Sequence, residues 1–152
     1  MALILEEFLP YRFNRLAETL SRNASRAYRA EYGLTRPEWR AFALLGQKGT
    51  MTATEISVLS AMHKTKVSRA IFALEQRHWI RREVDTADRR LERISLTRDG
   101  EVAYRRLVPM MQEVEDRLIN RLGETDSAAL QQGLKALEAL FDEPKTTTGL
   151  EK

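Results

Sequence analysis

Lys64, Thr65, Lys66, Ser68 and Arg69 crowd the first two turns of the stretch Met62–Trp79. Ammonium, guanidinium and hydroxyl groups in that arrangement can hold phosphate oxygens, donate to guanine O6 and N7, or touch a thymine methyl group. In the same stretch Val67, Ala70, Ile71 and Leu74 recur at helical spacing, so one side is apolar and the donors lie largely off it. Met62–Trp79 therefore reads as one amphipathic helix suited to a DNA major groove. By itself it reads more simply as a solvated basic face, and the flanking sequence reverses that preference.

Other chemistries find little support. There is no nucleophile–base constellation, no P-loop and no GxGxxG, so no catalytic residue and no cofactor is expected, and the chain does not read as an enzyme. There is no Cys, and His63 and His78 lie fifteen apart without HExxH spacing, so no metal site is expected. Asp85 and Asp88 fall in a polar loop and read as solvated or paired carboxylates. At 152 residues, 43% hydrophobic and 31% charged, the chain suits one globular domain with a real core. The opening MALILEEFLPYR carries Glu6 and Glu7 and lacks a basic lead-in, so no signal peptide is expected. No apolar run approaches the roughly 20 residues of a membrane span, and a cytoplasmic location follows as the expectation. The net charge of +3 says little, but its distribution says more. Residues 60–82 hold six basic side chains (Lys64, Lys66, Arg69, Arg77, Arg81, Arg82) against one acid, Glu75, whereas residues 101–152 hold seven basic and ten acidic. Such a concentration is the footprint expected of a nucleic-acid surface.

The elements that must position these donors can be read in order. Leu3–Leu9 is an apolar lead-in to a long helix starting near Pro10, with Phe13, Leu16, Leu20, Ala24 and Ala27 as its stripe and Gly33 as its stop. Arg12, Arg15, Arg22, Arg26 and Arg29 occupy the opposite face. Thr35, Pro37 and Glu38 spell a capped start for a second helix, with Trp39, Phe42, Ala43 and Leu45 inward and Gly46 and Gly49 ending it. Thr52-Ala53-Thr54-Glu55 repeats the capping pattern for a short helix with Ile56 and Leu59 inward. Two capped helices, a tight turn and the basic helix make a helix-turn-helix. Ile80–Val84 and Leu91–Leu96 alternate as two strands around the loop Asp85–Arg90, giving a hairpin with a basic tip. Thr97 caps a helix to about Leu122, with Val102, Leu107, Met110, Met111, Val114 and Leu118 apolar and a kink expected at Pro109. A last helix, about Ser127–Phe141, carries Leu130, Leu134, Leu137, Leu140 and Phe141. Pro144 stops it before a polar tail expected to be disordered. No internal repeat is visible.

In this order and spacing the chain resembles the MarR family of winged helix-turn-helix transcriptional regulators over about residues 10–142. TKVSRAIFALEQRHWIRRE resembles the family's recognition helix and first wing strand, and DTADRR followed by ISLTRDG resembles its wing and wing exit. The fold class implied is mainly α with a small β-wing. Residues 1–34 would be an N-terminal dimerisation helix, 35–97 the winged helix-turn-helix DNA-binding region, 98–143 C-terminal dimerisation helices and 144–152 the tail. The resemblance also implies a homodimer acting as a repressor on double-stranded DNA. Its pseudo-palindromic operator would have half-sites about one helical turn, ~34 Å, apart. Many relatives release DNA on binding a small aromatic or phenolic acid.

By position Lys64, Thr65, Lys66, Ser68 and Arg69 would meet the groove, with Thr65, Lys66 and Arg69 assigned to base edges. Arg90 and Arg89 of the wing would reach the adjacent minor groove, with Asp88 bracing them. Thr35, Thr52 and Thr54 lie at helix starts, where they either hold phosphates or simply cap. Tyr11, Arg15, Tyr28 and Trp39 have the chemistry to hold an aromatic carboxylate, or else fill core and surface. His63 stands where relatives often carry Asp, His78 where they usually carry Gly, and Ala87 where Arg is common. The competing function is a helical dimerisation or scaffold protein whose winged domain binds other proteins.

Overall fold

Pro10 lies in the first turn of α1 (Leu9–Tyr32), where a missing N–H leaves no bond unmade, and Gly33 closes that helix at φ +65°. A single 3-10 turn, Leu5–Glu7, precedes it. The computed structural model describes residues 1–142. Two reciprocal caps then start α2 (Arg36–Lys48) and α3 (Ala53–Ser60). Glu38 N–H donates to Thr35 Oγ1 at 3.4 Å while Thr35 N–H donates to Glu38 Oε2 at 2.8 Å. Thr52 and Glu55 repeat the exchange at 3.2 and 3.0 Å. Each pair satisfies two donors that a bare helix start would leave orphaned.

α4 (Lys64–Gln76) follows, and its Val67, Ala70, Ile71 and Leu74 are all buried. It is shorter than the stretch Met62–Trp79. Met62 belongs to the core, His63 caps the helix, and Trp79 has left it to stack on Phe42 at 5.0 Å between ring centres. Strands β1 (Ile80–Val84) and β2 (Glu92–Leu96) pair antiparallel, with Ile80 opposite Leu96 and Val84 opposite Glu92. Met51, just before α3, bridges Ile94 through two backbone bonds of 2.9 and 2.8 Å. The wing is thereby tied to the helix-turn-helix.

α5 (Arg98–Leu122) and α6 (Glu124–Ala139) complete the described residues. Residues Met1–Gln112 form one compact unit and the residues from Glu113 onward a second. In the first, the core gathers Tyr28, Leu34, Phe42, Leu45, Ile56, Leu74, Ile94 and Leu107. Among the described residues no helix is long and apolar enough to cross a membrane.

Several local expectations need correction. Gly46 does not end α2 but sits inside it. A Cβ there would come within 2.4 Å of the Tyr104 ring, so glycine marks a close approach rather than a stop. Leu59 points outward, 54% exposed, because an eight-residue helix offers its inward side to Ile56 alone. Val102 is 60% exposed, and α5 instead buries Gly100, Ala103 and Leu107. Helix α6 begins at Glu124, three residues before Ser127, with Gly123 as its cap at φ +88°. Pro144 and the tail lie outside the described residues.

The exit of α4 is latched to the start of α5. Thr97 Oγ1 donates to the His78 carbonyl at 2.6 Å and accepts from Gly100 N–H at 3.1 Å, while Thr97 N–H donates to the Trp79 carbonyl at 2.9 Å. Gly100 abuts that carbonyl so closely that a Cβ would lie 2.1 Å from its oxygen.

Candidate nucleic-acid interface

The buried stripe of α4 fixes what faces outward. Thr65, Ser68 and Arg69 occupy the opposite side and are exposed, as are Lys64 and Lys66 on its flanks. The helix is bracketed by two residues in the left-handed region, Ala61 at φ 54° and His78 at φ 60°. His63 caps it with Nδ1, which accepts from Thr65 N–H at 3.2 Å. An accepting Nδ1 leaves the ring proton on Nε2. His63 thus fills the structural role that Asp commonly plays at a helix start.

Hollows lie on both flanks of α4. One, of about 430 Å³, is formed by the start of α3, by α4 and by the wing, and it collects Thr52, Thr54, Lys64, Ser68, Arg89 and Arg90. The other, of about 400 Å³, collects Thr35, Lys66 and His63 with Arg29, Arg36 and Arg40. Lys and Arg therefore line both sides of the outward face. Sequence reasoning placed Arg29 only on a wet face and assigned nothing to Arg36 or Arg40. Their spacing of four on α2 puts them on one side of that helix, but the approach of α1 and the α3–α4 turn makes the hollow.

Ion pairs sort the cations further. Arg82 is held between Glu75 at 2.9 Å and Glu92 at 3.4 Å. Arg77 lies over the Trp79 ring and donates to the Gly33 carbonyl at 3.4 Å, and Arg81 bonds Ser95 and Glu83. These three serve the fold. Among the described residues Lys64, Lys66, Arg69, Arg89 and Arg90 make no ion pair, so their charge remains available to an anion. Arg36 is intermediate: it pairs with Glu18 at 2.7 Å, which lowers the Glu18 pKa and raises that of Arg36.

In the wing loop the bracing differs from expectation. Asp88 Oδ1 accepts from the Arg90 backbone N–H at 3.0 Å, so it shapes the loop's backbone rather than pairing with an arginine side chain. The carboxylate that holds an arginine is Asp85, whose Oδ2 accepts from Arg93 Nε at 2.9 Å while Oδ1 accepts from Ala87 N–H at 2.8 Å. Asp85 is buried, and its pKa is lowered by the Ala87 N–H first and by Arg93 against the opposing effect of burial. Side chains bonding backbone two residues onward are a general way for Asp to set a turn. They leave Arg89 and Arg90 at an ordered tip.

The four aromatic-acid candidates separate into two pairs. Arg15 lies over the Tyr11 ring at 5.8 Å, in a shallow hollow of about 270 Å³ with Arg12, Leu16 and Thr19. Tyr28 is buried and stacks on Trp39 at 5.4 Å. Seventeen residues of one helix separate Tyr11 from Tyr28, about 25 Å at 1.5 Å per residue. One small ligand cannot touch both pairs in a single protomer.

Comparison with known proteins converges on one family. Residues 34–91 match the MarR family model. YwaE, a helix-turn-helix-type transcriptional regulator of Bacillus subtilis, is 33% identical over 84 residues, 53% of this chain and 49% of that protein, so the chain spans about half of this relative. The MarR-family transcriptional regulator SPO1453 of Silicibacter pomeroyi superposes with a TM-score of 0.79 at 29% identity, over 93% of this chain and all of the other. BpsR of Bordetella bronchiseptica, whose DNA binding is regulated by 6-hydroxynicotinic acid, shares the fold at 18% identity and a TM-score of 0.76, over 95% of this chain and all of that one. On the matched segment and the shared fold together, the chain is similar to the MarR family of transcriptional regulators.

Proposed function

We propose that the chain is a homodimeric, sequence-specific DNA-binding repressor in the cytoplasm, with residues 35–97 reading the DNA and the helices of 1–34 and 98–143 holding two copies together. The observation that carries this reading is the outward face of α4: Thr65, Ser68 and Arg69 are flanked on both sides by hollows in which Lys64, Lys66, Arg89 and Arg90 make no ion pair among the described residues, although Arg82 and Arg36 in the same hollows are held by carboxylates. Thr65, Lys66 and Arg69 are assigned to base edges, Arg89 and Arg90 to the neighbouring minor groove, and Lys64 and Ser68 to whatever the groove offers beside them. Thr35 and Thr52 cap with a lone pair and retain a hydroxyl proton, so each can also donate to a phosphate. Thr54, which makes no cap, stands beside Thr52 in the same hollow.

The test is retention of genomic fragments by the purified protein across a salt series. For a dimer engaging 6–10 phosphates, affinity should fall about 10³- to 10⁵-fold between 50 and 200 mM salt. Arg69→Ala should lose about 1–3 kcal/mol if its guanidinium holds a guanine edge. Retention of no fragment, or specific binding insensitive to salt, would sink the reading. It would leave a protein-binding scaffold in its place.

The dimer part rests on apolar stripes that the single chain leaves open: Phe13, Leu16 and Leu20 on α1, and Leu130 on α6. The effector part rests on Tyr11 and Arg15, a ring and a guanidinium 5.8 Å apart beside an open hollow. A small aromatic or phenolic acid could pair its carboxylate with Arg15 and stack on Tyr11. Calorimetry with 6-hydroxynicotinate and salicylate, on the wild type and on Arg15→Ala, tests it. Absence of heat at millimolar concentration in the wild type rejects these acids.

A further inference from the structure

Phe72 is the one large apolar side chain on the outward face of α4, and it is 58% exposed. Taking 100° per residue, Phe72 and Arg69 lie within about 20° and 40° of Thr65 around the helix, directly opposite Leu74 and Val67. A phenyl ring so placed lies opposite the core-facing stripe, and its exposed surface gains nothing from water. Its neighbours one turn back are Ser68 and Arg69, and the flanks of the same face are cationic. A neutral protein partner would explain the ring but not this cationic surround, whereas DNA satisfies both. Its phosphates match the cations, and its major groove carries one apolar group, the thymine C5-methyl.

We infer that Phe72 is a specificity-determining residue that packs on a thymine methyl group in each half-site. The inference rests on the DNA-binding reading and deepens it. Arg69 and Phe72 are about 4.5 Å apart along the helix axis, close to the 3.4 Å step between bases on one strand. A guanine read by Arg69 and a thymine read by Phe72 should therefore fall one or two steps apart in the half-site. This face of the helix contributes no further apolar contact, because Thr65, Ser68, Arg69 and Gln76 are its other members.

The experiment uses the full chain and a fragment recovered from the genomic selection, with each thymine in turn replaced by uracil in both half-sites. Uracil keeps every hydrogen bond and removes only the methyl group. Replacement at one symmetric pair of positions should weaken the wild type about 10-fold, from two lost methyl contacts. Phe72→Ala should weaken binding to the normal fragment by a similar factor and lose the response to uracil at that pair. Phe72→Leu, which restores an apolar side chain, should recover part of both. Alanine favours helix, and the position is exposed, so circular dichroism should remain that of the wild type. If Phe72→Ala binds with wild-type affinity, or weakens while keeping the full response to uracil at every position, the inference is wrong. If the wild type retains no fragment at all, the DNA reading itself fails and this inference falls with it.

Discussion

Helices α4 and α6 make an instructive pair. Both show apolar residues at helical spacing, and in both the period alone predicts a helix. In α4 the stripe Val67, Ala70, Ile71 and Leu74 is fully covered within the chain, whereas α6 has no buried residue. The first half of α1 resembles α6, for Phe13, Leu16 and Leu20 are open while Tyr28 near its far end is buried. Periodicity thus reports that a face exists, and the tertiary fold reports whether the chain covers that face itself. A domain that completes its own core should be indifferent to dilution. Faces left open should make association part of stability.

The comparison can be broken most forcefully at the open faces. Leu16→Glu combined with Leu20→Glu should yield a monomer by light scattering. It should weaken operator binding about 100-fold or more, since two linked half-sites become two independent events. If that variant remains dimeric and binds normally, the open stripe of α1 is not the association surface. Next in size is Gly100→Ala, on the self-contained side. A methyl group forced against the Trp79 carbonyl should destabilise the fold by on the order of 3 kcal/mol. The loss should be the same at every protein concentration if it belongs to the chain's own core, and denaturation across a dilution series checks this.

A smaller effect is expected in the wing. The Asp85 pKa lies below its ordinary value in the folded chain, so the carboxylate stabilises the loop above about pH 4. That contribution should be lost as pH falls from there through the folded value. Exchange protection of the Ala87 amide should follow the same course, and Asp85→Asn should flatten it. Unchanged protection down to pH 2 would show that the carboxylate does not hold the loop. Smallest is His78→Gly, which relieves a left-handed side chain at φ 60° and should stabilise the fold by about 0.5 kcal/mol after the extra freedom of the unfolded chain is subtracted. A lowered melting temperature would mean that the imidazole contributes something its backbone angle does not reveal.

Local chemistry was legible in the sequence where it stayed local. The caps at Thr35, Thr52 and Thr97, the stripe of α4 and the hairpin all depend on residues close to one another in the chain. What escaped depends on partners far along the chain. Gly46 looked like a stop because Tyr104, which fills the space beside it, comes 58 residues later. The Asp85–Arg93 pair crosses the hairpin, and the hollow of Arg29, Arg36 and Arg40 exists only because two helices meet. The separation of Tyr11 from Tyr28 was present in the helix length, but grouping by chemistry hid it. Phe72 was overlooked for a related reason: attention to polar donors on the outward face passed over the ring among them.

The two left-handed residues at the ends of α4 bear on how such a chain could evolve. Ala61 and His78 each hold a backbone conformation that glycine would adopt more easily. A chain with such positions has stabilising substitutions within reach that touch neither the core nor the outward face. Substitutions on the outward face, at Thr65, Ser68, Arg69 or Phe72, that cost some stability can therefore be compensated nearby without altering that face. A chain built this way could change its outward face first and restore its fold afterwards.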